Sequence, residues 1–138
     1  MTLESAVRLL TGTFAWTAAG ALLLALLMAV DSLTTRYKDL AEMRKGNVAV
    51  TTRFIMKLFA QGYILAQAVR TSYSLSEALI VSVVSFVILL IIELVVRRLL
   101  DRFGGFHLDE GTKDGKIAHA LLAGSLHLTG ALIVASTL

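Results

Sequence analysis

Five side chains in this sequence sit where chemistry is expensive. Arg53, Lys57 and Gln61 recur at every fourth residue of Asn47–Val69, NVAVTTRFIMKLFAQGYILAQAV, a run otherwise long and apolar enough to cross a bilayer. Glu93 and His127 stand inside two later apolar runs. Helical rise from Asn47 places Arg53 roughly 9 Å deep and Lys57 roughly 15 Å deep, near the middle of a ~30 Å hydrocarbon core. An ionised side chain at mid-bilayer costs at least about 2.5–3.5 kcal/mol, so partners are expected. Glu93 lies four residues before Arg97, roughly 6 Å deep, and is the expected partner of Arg53. The alternative is Arg53 snorkelling to the headgroups. Lys57 has no acid at matching depth. Ser82, Ser85 and His127 are the polar residues near the midplane on other runs, and His127 lies as far into its run as Lys57 does. A titratable Lys57–His127 pair beside Gln61 could relay protons or bind an anion. A lysine kept neutral by burial, or one facing a hydrated cavity between subunits, fits the same position. So does a hydrogen-bonded seam that fixes helix pairing.

Other chemistries find no support. The chain has no cysteine, which excludes disulfides, thiol catalysis and cysteine-ligated metals. His119 and His127 are eight residues apart, roughly 12 Å along one helix, too far to share an ion. Zinc pairs on one helix sit at i,i+4, so neither a metal nor another cofactor is expected. Gly104–Gly105 and Gly111–Gly115 lack the flanking pattern of a phosphate loop, and nothing positions Ser82 or Ser85 against Lys57 as nucleophile and base. The expectation is a protein that is not an enzyme.

The elements that carry these residues follow from charge distribution. Of 138 residues, 57% are hydrophobic and 17% charged, and the charges crowd into two short segments. A soluble domain of this size is about a quarter charged. Four apolar runs alternate with those segments: Leu9–Val30, Asn47–Val69, Leu75–Val96 and Ile117–Leu138. Each approaches the roughly 20 residues a membrane helix needs, and in lipid a single run of that length pairs its own backbone as helix. The fold class expected is therefore an all-α membrane protein with four transmembrane helices. The first run exceeds the apolar core of a cleaved signal peptide, about 7–15 residues, and basic residues follow it, so an uncleaved anchor is expected.

The segments 31–46 and 97–116 hold four and five Lys or Arg; the turn Arg70–Ser74 and the N-terminal tail hold one each, and the C-terminus none. The positive-inside rule places both segments in the cytoplasm and both termini in the periplasm. That topology accounts for the net charge of +3 without nucleic acid. Asp39–Lys45 reads as a short surface helix, and Asp39, Glu42, Arg44, Lys45, Asp109 and Glu110 as a solvated surface for a cytoplasmic protein partner. Gly104–Gly105 is expected to end a helix that overruns the membrane. Asn47–Val69 places Ala49, Arg53, Lys57, Ala60, Gln61, Gln67 and Ala68 on one face, with Val48, Ile55, Leu58, Phe59 and Tyr63 mostly opposite. Small residues crowd the second and fourth runs, which are expected to form the packing core. Four helices enclose little interior, so a homo-oligomer is expected.

The chain also echoes itself at an offset of 69 residues. Gly46-Asn47-Val48-Ala49 falls on Gly115-Lys116-Ile117-Ala118, and Ile64 and Ala66 fall on Ile133 and Ala135. Two runs per unit make two parallel two-helix repeats, about 1–70 and 71–138, within a single membrane domain. The Lys45-Gly46-Asn47-Val48-Ala49 opening of the second run, and Phe106-His107-Leu108-Asp109-Glu110 followed by Gly115-Lys116-Ile117-Ala118, resemble the domain-of-unknown-function 350 family, the YjfL-like bacterial inner-membrane proteins. Lys116 departs from the asparagine common at that place. The resemblance implies four transmembrane helices in a bacterial inner membrane, no established activity, and an association with membrane-stress proteins. Two functions are carried forward: a non-enzymatic scaffold or stress-associated module, and a small ion or proton channel or transporter with Lys57 and His127 in its pathway.

Overall fold

The computed structural model describes residues 1–138 and is helical throughout, with no strands. Six α-helices follow in order: α1 (Leu3–Ser32), α2 (Asp39–Arg44), α3 (Val48–Thr71), α4 (Leu75–Leu99), α5 (Leu108–Lys113) and α6 (Ile117–Ser136). A π-helical turn, Leu100–Gly104, prolongs α4 and stops at Gly105, whose φ of 65° is left-handed. That is the expected glycine stop. By length and composition α1, α4 with its π turn, and α6 can cross a membrane. The 24-residue α3 is long enough, about 36 Å, but its charges and amides set it apart in composition.

The first expectation to fail concerns the end of α1. Sequence reasoning began the polar segment at Asp31, the first charge after an apolar run. The helix instead runs through Ser32, and Asp31 is 1% exposed. A charge ends a span only when it reaches water, and here a partner inside the bundle holds it.

The bundle forms around α3. Its largest interface is with α6, and α4 and α1 flank the pair. Small residues bring α3 and α6 together: Ala49, Ala60 and Ala68 on one, and Ala120, Ala123, Gly124 and Ala131 on the other, are buried. At Gly124 an added Cβ would overlap the Met56 side chain, so glycine is what the approach allows. The bulky face of α3, with Ile55, Leu58, Phe59 and Tyr63, points outward as expected. So do much of α1 and α4.

Two short helices, α2 and α5, cap one end, called here the loop side. Each leads into a long helix by the same device. After α2, Gly46 adopts φ 81° while its N–H reaches Met43 O and the Asn47 N–H reaches Glu42 O. After α5, Gly115 adopts φ 83°, with bonds to Thr112 O and from Lys116 N to Gly111 O. Both are Schellman closures, and the two short helices and the two long-helix starts are spaced by 69 residues. They differ at the next cap. Asn47 Oδ1 accepts from the Val50 N–H, and its Nδ2 donates to Glu42 and, at 2.8 Å, to the Lys113 carbonyl. Lys116 offers α6 no side-chain cap.

A buried charge network as candidate functional site

Each charged side chain enters the bundle from a position that helix geometry determines. Arg53, Lys57 and Gln61 descend one face of α3 a turn apart, and all are buried. Asp31 reaches in from the last turn of α1, Glu93 from α4 and His127 from the middle of α6. Lys57 Nζ donates to Asp31 Oδ2 at 2.6 Å and lies 3.9 Å from Glu93 Oε1. This corrects the expectation that Lys57 has no acid. The acid was assigned to the loop.

Glu93 is the hub. Its Oε2 meets His127 Nδ1 at 2.5 Å. Its Oε1 lies 3.7 Å from both Arg53 Nη2 and Arg97 Nε, yet accepts no hydrogen bond. The expected Arg53–Glu93 pair thus exists but is not Arg53's shortest. Arg53 Nη1 donates to Asp109 Oδ1 at 2.8 Å and to the Tyr37 hydroxyl at 3.1 Å. The guanidinium also sits over the Tyr37 ring. Arg97 closes the set, with Nη1 3.1 Å from Asp109 Oδ1. His127 does not pair with Lys57; both converge on Glu93, and His127 Nε2 faces Gln61 Nε2 at 3.4 Å.

The anticipated loop surface divides. Asp39 and Asp109 are not solvated. Asp39 is 5% exposed and accepts from the Ser32 hydroxyl. Burial raises its carboxyl pKa. The Asp109 side chain is 12% exposed. Burial pushes its pKa up, but Arg53, Arg97 and the Arg36 N–H outweigh that, and the net shift is downward. Burial also raises the Tyr37 phenol, against the opposing pull of Arg53. Arg44, Lys45 and Glu110 are exposed, and Glu42 is partly so, with its carboxyl shifted down by hydrogen bonds from Asn47 and then Lys45. α5 folds back onto α6 and α3, which is what carries Asp109 inward. Gly111 permits that fold, since a Cβ there would strike the His119 ring.

The network therefore runs inward without a break. It starts at Arg36, which contacts Glu110 and, through its N–H, Asp109. It passes through Asp109, Arg97 and Arg53 to Glu93, then to Lys57 and Asp31 and to His127 and Gln61. At and beyond Gln61 and Glu93 it meets an apolar cluster of Ala60, Ile64, Leu89, Ala131, Val134 and Ala135. The arrangement holds opposite charges within 4 Å of one another and can redistribute protons among close acids and bases.

A model of the Domain of Unknown Function (DUF350) matches residues 4–138. The chain belongs to that family. No curated protein and no solved structure matches it. In this DUF350 chain, reasoning from sequence brought together Arg53, Lys57, Gln61, Glu93 and His127, and all five meet. It missed Asp31, Tyr37, Arg97 and the inward turn of Asp109. An acid directly at the end of one apolar run, with a lysine lacking a partner in the next, was the available signal for Asp31.

Proposed function

We propose that this is a multi-pass inner-membrane protein of four transmembrane helices that takes up protons or small ions from its loop side into the buried network. The observation that carries the reading is the continuous series of ionisable contacts from Asp109 through Arg53 and Glu93 to His127, closed beyond by Ile64, Leu89 and Val134. Ionisable groups inside a membrane are rare and commonly line ion and proton routes. α3 is the fourth span: its charges are matched inside the bundle, and its outward face is apolar. The Lys and Arg bias of the two loops puts the loop side in the cytoplasm and both termini in the periplasm. The 69-residue spacing supports descent from two parallel repeats, and the apolar outer faces of α1 and α4 suit lipid or further copies of the chain.

Proton flux into liposomes, compared between wild type and Lys57→Leu, tests the transport reading. Wild type is expected to exceed the variant by about tenfold, the scale of one lost charge–charge coupling. Equal background flux in both sinks it. Single cysteines at Thr2 and Leu138 should react with an impermeant thiol reagent in intact cells, and one at Lys113 should not. A second reading is a non-enzymatic scaffold that recruits a cytoplasmic partner, and the exposure of Arg36, Leu40, Arg44 and Glu110 on the loop side favours it. Loss of a partner on replacing those four would support it.

A further inference from the structure

Beneath the proton and ion question lies a more specific arrangement. Asp31, Glu93 and His127 come from three helices, and one ligand atom from each lies within 4.8 Å of the others. We propose that these three residues form a membrane-buried site for a divalent transition-metal cation, with Lys57 as the tethered cation that competes for it.

Donor chemistry defines the class of ion. One imidazole and two carboxylates, with no sulfur, suit Zn²⁺ or Mn²⁺. Donors around a tetrahedral zinc stand ~3.3 Å apart, given bonds near 2.0 Å.

Unused lone pairs point the same way. Asp31 Oδ1 and Glu93 Oε1 are buried and accept no hydrogen bond. Gln61 Oε1 is buried and equally unpartnered. With a metal on His127 Nδ1, Nε2 carries the proton. A turn of the Gln61 amide then brings Oε1 to receive it, where Nε2 now stands 3.4 Å away. Ligating histidines usually donate their second N–H to an oxygen in this way.

Charge supplies the third argument. Lys57, Arg53 and Arg97 pair with Asp31, Glu93 and Asp109, so with His127 neutral cations and carboxylates balance, and a further cation can enter only by displacing one of the three. The Lys57 ammonium lies between Asp31 and Glu93, at 2.6 and 3.9 Å. An entering cation must take that place. The site is independent of transport, since a bound ion serves a sensor equally well.

The test uses the full chain in detergent micelles, stripped with chelator and dialysed against Zn²⁺, Mn²⁺ or Mg²⁺. Saturable binding of about one Zn²⁺ or Mn²⁺ per chain is expected, with Mg²⁺ excluded. His127→Gln should weaken it at least about tenfold. Lys57→Met should tighten it by about tenfold or more, because it removes the competitor. Zn²⁺ should also raise the Tm of Lys57→Met more than that of wild type. Lys57→Gln replaces Lys57→Met if the latter does not fold. No saturable binding to wild type overturns the site, as does binding that His127→Gln leaves unchanged. A Lys57 variant that binds no more tightly than wild type overturns the tethered-cation role. Flux is not read, so a failed transport assay leaves the outcome intact.

Discussion

The loop-side half of the bundle and the far half solve the same packing problem by opposite means. Near the loops, α3 meets its neighbours through Arg53 and Lys57, each pinned by carboxylates from other helices. From Ala60 onward, the same helix meets the same neighbours through Ala60, Ile64 and Ala68, against Leu89, Ala131, Val134 and Ala135. The dry half is held by shape, and its groups need nothing from one another beyond contact. The charged half is held by matched partners, so each group is costly once its partner is gone. Buried ion pairs add little net stability over apolar residues, yet breaking one leaves a stranded charge. A bundle that needed only stability would not require the charged half.

Four experiments break or sharpen that contrast. The largest effect is expected for Asp31→Leu, which strands Lys57 and should cost about 3–5 kcal/mol in thermal unfolding, whereas Asp31→Leu with Lys57→Leu should recover most of it. A double variant as poor as the single would mean that Asp31 and Lys57 are not coupled. Leu89→Ala in the dry half should cost about 2–5 kcal/mol with no comparable rescue by a second change. Gly124→Ala forces Met56 aside and should cost about 1–3 kcal/mol, relieved by Met56→Ala. The smallest is a gain: Lys116→Asn supplies α6 with the cap that Asn47 gives α3, worth about 1 kcal/mol.

Acid should discriminate the halves as well. The folded pKa of Asp109 lies below its ordinary value of 3.8, so its contribution is complete above that value and is lost as pH falls through it and then through the lower folded pKa. Asp39 has the opposite sign. Its raised pKa favours the folded state at low pH, and that advantage fades as pH rises through the folded value. Asp109→Asn should therefore flatten the stability curve below about pH 4, and Asp39→Asn should steepen it above about pH 4, where the folded carboxyl keeps a proton that the unfolded one has lost. Acid unfolding followed by circular dichroism reads both.

Much of this was legible in the residues. Long apolar runs determine helices, glycines at 46, 105 and 115 mark where they stop or start, and a depth count finds the Arg53–Glu93 pair. What the count could not see was tertiary. Asp31 and Lys57 are 26 residues apart in sequence and on different helices, and only the crossing of α1 and α3 makes a terminal charge an internal one. Asp109 likewise looks solvated among Lys113, Asp114 and Lys116. It turns inward because α5 packs on α6, a contact that depends on the bare backbone at Gly111.

The pairing of the deepest groups also bears on how the chain enters a bilayer. Asp31 and Lys57 both belong to residues 1–71, and Glu93 and His127 both belong to residues 75–136. Each helical hairpin carries its own acid and base. On the four-span reading proposed above, either half would enter the bilayer with its acid already beside its base, before the other half has been synthesised. Arg53 alone must wait for Glu93 and Asp109, and its place near the loop side lets it reach the headgroups meanwhile.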